Sequence, residues 1–176
     1  MTPEDAAARL AEVVGSGAVL GGAATADVAR EQWPAAVAAV RDDEALAADL
    51  FDGLLGVDLE ADGVEVVVRL WSTSGRHAVV LRTRCPADDP RVPSLADVFA
   101  GAAWSERETA EMLGVAFDGH PGLTPLLLPT GFAGHPLRKA FVLARRQETA
   151  WPGAVEPGHS TPDPRRQPLG APRRRR

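Results

Sequence analysis

Cysteine is scarce in this 176-residue sequence, in which Cys85 is the only one. A single thiol excludes a framework of internal disulfides and indicates a reducing compartment. It also excludes an iron–sulfur cluster held by this chain alone, because such clusters are held by several ligands. No apolar run approaches the roughly 20 residues of a membrane-spanning helix, and the acidic N-terminus lacks the apolar core of a secretory signal. These absences predict a soluble cytoplasmic protein without a membrane span.

Motifs of common catalytic sites are also missing. The sequence has no Gly-x-Ser-x-Gly nucleophile elbow, no Cys–His pair and no phosphate-binding loop. The stretch GSGAVLGG at 15–22 nearly matches the dinucleotide-binding fingerprint, but Leu20 stands at its third glycine position. A predicted helix also precedes this stretch, where the fingerprint requires a strand. We therefore expect neither a nucleotide site nor an active site in this chain.

The formal net charge of −5 is unevenly distributed. Residues 1–144 hold 11 Lys and Arg against 21 Asp and Glu, a balance of −10, whereas residues 145–176 hold 8 against 3, a balance of +5. Prolines recur through the basic end of the chain, and large aliphatic residues are nearly absent from it. Such a composition cannot repay the entropy of ordering, so residues 149–176 are predicted to form a disordered tail.

Local signals predict one two-layer α/β domain of the α+β kind in residues 1–103. Thr2 and Pro3 start a helix over 3–14, and apolar residues at helical spacing predict a second helix from about Glu31. Short strands are expected near 17–21 and 25–30, and longer ones at 51–59, 64–71 and 77–84, with a hairpin turn at Ser74-Gly75. The order α-β-β-α-β-β-β predicts a mixed or mainly antiparallel sheet.

The chain changes character from Trp104 to Lys139. Ser94 and Asp97 have the spacing of one helix cap, and Ser105 and Glu108 that of a second, whose helix should end at Gly114. Beyond it, Gly-His-Pro occurs twice, at 119–121 and 134–136, among four prolines and several leucines. Because proline forbids helix and leucine disfavours disorder, we predict an extended coil pinned against its own domain or a partner. Residues 104–148 are therefore predicted to be a docking segment.

His120 and His135 suggest a metal site, but they are 15 residues apart and no further ligand lies at a suitable spacing. A hydrogen bond from each histidine to a neighbouring loop is the simpler interpretation. Glu106, Glu108 and Glu111 suggest acid–base carboxylates, although a structural use is favoured. The residues alone thus indicate a subunit of a larger assembly.

The motifs in this stretch resemble those of the C-subunit family of respiratory complex I, the proton-pumping NADH:quinone oxidoreductase. The matching features are Trp104, the Glu-Arg-Glu at 106–108, the Gly-Val-Ala-Phe at 114–117, and the two motifs GHPGL at 119–123 and GHPLRK at 134–139. A weaker match extends the resemblance over about 31–145. The chain departs from the family pattern at Glu111, at Thr124-Pro125 and at Ala140, as a divergent paralogue would.

The resemblance implies a cofactor-free peripheral subunit on the cytoplasmic side of the cell membrane. NADH, FMN, iron–sulfur clusters and quinone would be bound by partner subunits. The extended segment would pack along the D subunit, which forms the quinone pocket with the B subunit. The interface residues that it implies are Trp104, Glu106, Arg107, Glu108, Phe117, His120, Pro121, Leu123, His135, Pro136, Arg138 and Lys139. No catalytic, cofactor-binding or metal-binding residue is expected.

Two alternatives remain open at this point. The chain could be the equivalent subunit of a membrane-bound hydrogenase or of another donor:quinone oxidoreductase. It could also be an unrelated adaptor that acts through its basic, proline-rich tail.

Overall fold

A mixed five-stranded sheet with helices against one face forms the body of the protein, of which a computed structural model describes residues 1–142. The predicted tail lies outside the described residues, as do residues 143–148 of the predicted docking segment. In chain order the elements are α1 (Pro3–Val14), β1 (Ala18–Leu20), β2 (Ala23–Asp27), a 3₁₀ turn (Arg30–Gln32), α2 (Trp33–Asp42), β3 (Leu50–Asp58), a second 3₁₀ turn (Glu60–Asp62), β4 (Val64–Ser72), β5 (His77–Cys85), β6 (Arg91–Pro93), α3 (Ala102–Leu113) and β7 (Ala116–Asp118).

The strand order of the main sheet is β1-β2-β5-β4-β3. Strands β3, β4 and β5 pair antiparallel, as do β1 and β2, whereas β2 pairs parallel to β5, with Ala24 opposite Val79. The sheet is thus mixed, which confirms the predicted fold class and element order.

Alternation along the central strands defines the core. The side chains of Val64, Val66, Val68 and Leu70 on β4 are fully buried, while the residues between them lie on the other face. Trp33 from α2 is fully buried in the same cluster, and so is Leu10 from α1. Burying a side chain of this size stabilises a fold by about 1.5–3 kcal/mol before entropic costs, so this face holds the domain together.

Helix α1 begins and ends as its sequence predicts. The Thr2 hydroxyl accepts a hydrogen bond from the N–H of Asp5 at 3.1 Å, and Pro3 occupies the first turn. Gly15 ends the helix with φ of 83°, a left-handed conformation that glycine adopts cheaply. The predicted span of 3–14 is therefore confirmed.

Two expectations near α3 are wrong or incomplete. Residues 96–98, where Ser94 and Asp97 were predicted to cap a short helix, form a turn, in which the Ser94 hydroxyl accepts a hydrogen bond from the N–H of Ala96. The short parallel pair of β6 and β7, with Val92 opposite Phe117, was not predicted, since neither strand has more than three residues. Among residues 1–142, no helix is long and apolar enough to cross a bilayer.

Candidate docking surface around helix α3

The C-terminal end of α3 is capped by the second Gly-His-Pro motif. His135 Nδ1 lies 2.9 Å from the Glu111 carbonyl oxygen, and the N–H of Leu137 donates to the Met112 carbonyl at 3.1 Å. The guanidinium of Arg138 donates from Nε to the Leu113 carbonyl at 2.6 Å. The last carbonyls of a helix have no partner within the helix, and a cation at this end also suits the helix dipole. The motif therefore fixes residues 135–138 to the end of α3.

The first Gly-His-Pro motif binds the other end of the same helix. Nε2 of His120 lies 3.0 Å from the Ala103 carbonyl oxygen, and Nδ1 accepts a hydrogen bond from the N–H of Gly122 at 2.9 Å. A carbonyl can only accept, so the proton lies on Nε2. The two motifs thus hold both ends of α3. We call the segment that runs from the first motif to Lys139, residues 119–139, the Gly-His-Pro coil.

Glu106 is a fully buried carboxylate of α3. It accepts hydrogen bonds of 2.6 Å from the Ser94 hydroxyl and from the N–H of Leu95. Its burial raises the pKa of the Glu106 carboxyl, against the lowering effect of these hydrogen bonds. Glu106 thereby joins α3 to the turn before it.

The predicted capping box of Ser105 and Glu108 is wrong. Helix α3 begins at Ala102, three residues before Ser105, and its N-cap position, Gly101, makes no side-chain cap. Ser105 is therefore inside the helix, and Glu108 faces solvent. The buried glutamate is Glu106, which shares one helix side with Ala102, Thr109 and Leu113. That spacing in the sequence was the signal that could have identified it.

Arg107 and Glu111 hold the middle of the Gly-His-Pro coil. Arg107 donates to the carbonyls of Thr124 and Pro125 at 2.9 and 3.0 Å, and its guanidinium lies 5.3 Å from the Trp104 ring. The Glu111 carboxylate accepts the N–H groups of residues 126–128, the shortest at 2.7 Å. Desolvation opposes ionisation of Glu111, but these N–H groups outweigh it and lower the pKa of the carboxyl. In the sequence, Glu111 stood out only as a possible acid–base carboxylate and as a departure from the family pattern, and its role in holding the coil was missed.

A third anchor joins the coil to the sheet. Asp58, at the end of β3, accepts a hydrogen bond from the N–H of Lys139 at 2.7 Å and one from Arg138 Nη1 at 3.1 Å. The Lys139 N–H, together with Arg138, lowers the pKa of the Asp58 carboxyl despite its burial. Lys139 Nζ reaches Glu60 at 2.8 Å in an exposed pair. No signal in the sequence singled out Asp58, which lies 80 residues before Arg138.

The apolar side chains of this region point outward. Residues that are between 42% and 67% exposed include Trp104, Leu123, Leu127, Phe132, Leu137 and Val142. Phe132 stacks on Phe141 with ring centroids 5.9 Å apart. Large apolar side chains clustered at a surface mark interaction sites in soluble proteins.

The other predicted interface residues are distributed between the interior and the surface. Phe117 is buried in β7, and the ring of His120 is buried under α3. Pro121 is exposed and Pro136 half-buried. A partner can contact the exposed members directly, whereas the buried ones support them. No group of three or more His, Cys, Asp or Glu side chains within residues 1–142 is placed to hold a metal ion.

Comparison with known proteins identifies the family. The profile of the family described as "Respiratory-chain NADH dehydrogenase, 30 Kd subunit" matches residues 26–147. The C subunit of the NADH-quinone oxidoreductase of Acidothermus cellulolyticus is 40% identical over 149 residues, which cover 83% of this chain and 76% of the relative. The corresponding protein of Acidithiobacillus ferrooxidans is 43% identical over 130 residues, which cover 69% of this chain and only 64% of the relative. The chain thus spans slightly less than two thirds of the length of that protein.

Solved structures show the same fold. The trypsin-resistant fragment (1-134) of Nqo5 matches with a TM-score of 0.55 and 26% identity, covering 68% of this chain and 95% of the fragment. A chain of the membrane-bound sulfane sulfur reductase, an archaeal respiratory membrane complex, matches with a TM-score of 0.67 at 22% identity, covering 80% of this chain and 85% of that one. At that identity the second likeness concerns the fold alone. On the family match and these relatives, the chain belongs to the 30 kDa subunit family of the respiratory-chain NADH dehydrogenase.

Proposed function

We propose that this chain is a peripheral subunit of an NADH:quinone oxidoreductase that binds no cofactor of its own and supports electron transfer by docking on the D subunit. The names of its relatives and the family match support the complex. The lack of catalytic motifs supports a structural contribution. The complex would hold the chain at the cytoplasmic side of the membrane, with NADH, FMN, iron–sulfur clusters and quinone in the partner subunits.

The observation that carries this proposal is that charged and apolar side chains around α3 make different contacts. Arg107, Glu111 and Arg138 bind backbone groups of their own chain. The exposed apolar side chains, by contrast, keep between 42% and 67% of their surface open to solvent among residues 1–142. Charges that are already bonded shape the surface, and apolar side chains are left to bind the partner.

Docking of this kind benefits from a coil that is ordered in advance. Association loses free energy when loops and side chains become immobile, and a coil already tied at both ends and in the middle avoids part of that loss. Apolar anchors at the centre of an interface then contribute most of the affinity. Leu127 and Leu137 are suited to this role, since each is more than half exposed.

The test is an assembly assay in membranes that contain the whole complex. Leu127→Ser and Leu137→Ser should each lower the amount of assembled complex, while the turnover of each complex that does assemble stays near normal. Leu55→Ser is the matched control, because Leu55 on β3 is equally exposed but lies outside the Gly-His-Pro coil. Normal assembly with lost turnover would refute the docking function, and so would an equal loss of assembly in the control.

A second candidate is the equivalent subunit of another membrane-bound respiratory complex. It is favoured by the shared fold with a chain of the archaeal sulfane sulfur reductase complex. The docking surface would serve both functions, so the electron donor distinguishes them. Complexes purified through this chain should oxidise NADH under the first proposal and lack NADH-oxidising subunits under the second.

A further inference from the structure

A cleft of about 320 Å³ separates α3 from the Gly-His-Pro coil. Ala110 and Val115 line its inner side, and Leu123 and Pro125 line the side formed by the coil. None of these side chains can form a hydrogen bond. The cleft therefore favours an apolar group of the size of a large side chain, the kind of pocket that holds the central residue of an interface.

Most polar groups around this cleft are already bonded within the chain. Arg107 donates to two carbonyls of the coil, and both oxygens of Glu111 accept backbone N–H groups. His135, which also lines the cleft, differs from them. Its Nδ1 carries a proton because it faces the Glu111 carbonyl, so the neutral ring has its lone pair on Nε2. Nε2 has no hydrogen-bond partner among residues 1–142. The cleft thus offers His135 Nε2 as an acceptor, beside the hydroxyl of Thr124, which also lines it.

We propose that this cleft receives an aromatic side chain with a single donor, a tyrosine or a tryptophan of the partner subunit, whose O–H or N–H donates to His135 Nε2. The inference rests on the proposed docking function and names the chemistry of the partner. An aromatic ring fills a largely apolar cleft of this volume, and its polar tip can donate to His135 Nε2. The aromatic side chains that lie nearby are engaged elsewhere, since Phe132 stacks on Phe141 and Trp104 contacts Arg107.

The direct test uses small aromatic probes on the full-length, isotope-labelled chain. p-Cresol and indole represent tyrosine and tryptophan, and toluene is the matched control without a donor. Chemical shifts of the Ala110, Gly114 and Leu123 amides should move with p-cresol or indole. The better of the two should bind about five-fold more tightly than toluene, because it gains one net hydrogen bond. Tighter binding of indole assigns tryptophan, and tighter binding of p-cresol assigns tyrosine.

Two variants separate the acceptor from the cleft. His135→Asn retains a donor for the Glu111 carbonyl and removes Nε2, so the melting temperature should stay near that of the native chain and the advantage over toluene should disappear. Ala110→Leu fills the cleft and should abolish binding of all three probes. Equal binding of the better donor probe and toluene to the native chain would overturn the proposal, and so would a response confined to amides far from the cleft.

The assembly assay distinguishes failure of this inference from failure of the docking function. Under the inference, Ala110→Leu lowers assembly as Leu127→Ser does. If Leu127→Ser lowers assembly and Ala110→Leu leaves it unchanged, the docking function stands and the cleft does not receive a side chain of the partner. If neither variant lowers assembly, both are refuted.

Discussion

His135 Nδ1 lies 2.9 Å from the carbonyl oxygen of Glu111, while the carboxylate of the same glutamate accepts the N–H groups of residues 126–128. One residue of α3 thus binds the Gly-His-Pro coil through its backbone at one place and through its side chain at another. The coil between the two contacts is a short loop with both ends fixed. Because Glu111 makes both contacts, its side chain can be changed while the contact to its backbone remains.

Glu111→Gln should loosen the middle of the coil without unfolding the domain. An amide provides one acceptor oxygen where the carboxylate provides two, so the amides of residues 126–128 should exchange with solvent faster. The pKa of Glu111 is lowered in the folded chain, so its contribution is present above the ordinary value of 4.5 and is lost as the pH falls. As the pH falls below 4.5, the exchange of these amides in the native chain should therefore become faster and approach that in the variant. Glu108→Gln, on the exposed side of the same helix, is the control and should change neither measurement.

Gly114→Ala should destabilise the chain more than Gly131→Ala. Both glycines have positive φ, of 73° and 83°, and an alanine in this conformation costs about 1–2 kcal/mol. At Gly114 an added Cβ would also lie 2.7 Å from the ring of His135, whereas at Gly131 it meets no atom within 4 Å. The difference between the two melting temperatures measures the contact with His135. Equal losses would show that the ring moves aside freely.

The sequence predicted the fold well where local signals decide it. Helix α1 has a threonine cap and a proline in its first turn, so its limits follow from neighbouring residues. The parallel pairing of β2 with β5 joins residues more than 50 positions apart, as in Ala24 and Val79. No local pattern specifies such a partner.

The same distinction applies to the docking surface. The proline pattern predicted an extended coil, and the motifs identified its family. The bond between Asp58 and Arg138 depends on how the coil folds back on the sheet, and the sequence shows no sign of it. The prediction of a capping box was wrong because Ser105 and Glu108 have the right spacing but the helix begins earlier, at Ala102.

Glu106→Gln should change how stability depends on pH. Burial raises the pKa of Glu106 in the folded chain, so the stability that the native residue contributes is full below the ordinary value of 4.5 and is lost as the pH rises through the raised pKa. The melting temperature of the native chain should therefore fall relative to that of the variant as the pH rises above 4.5. A difference that stays constant over this range would contradict the raised pKa. Glu108→Gln should show no such trend.

Arg138→Met should destabilise the isolated chain as well as lower assembly. Methionine keeps the apolar part of the side chain but removes the donors to Leu113 and Asp58. The buried carboxylate of Asp58 then lacks the positive charge that pairs with it. For a domain of this size the melting temperature falls by about 2–4 °C for each kcal/mol lost. Asp58→Asn should have a similar effect, and the double variant should cost less than the two single losses combined, because the residues share one interaction.

Arg138 could either bind the partner or anchor the coil of its own chain. These two roles predict different stabilities for the isolated chain of the variant. If Arg138 bound a carboxylate of the partner, its replacement would lower assembly and leave the isolated chain as stable as before. If it anchors the Gly-His-Pro coil, stability and assembly fall together, and Leu137→Ser lowers assembly alone since its side chain is exposed. Thermal melting of the isolated chains, set beside the amount of assembled complex in membranes, separates the two. An unchanged melting temperature in Arg138→Met would assign this arginine to the partner and contradict the anchoring function.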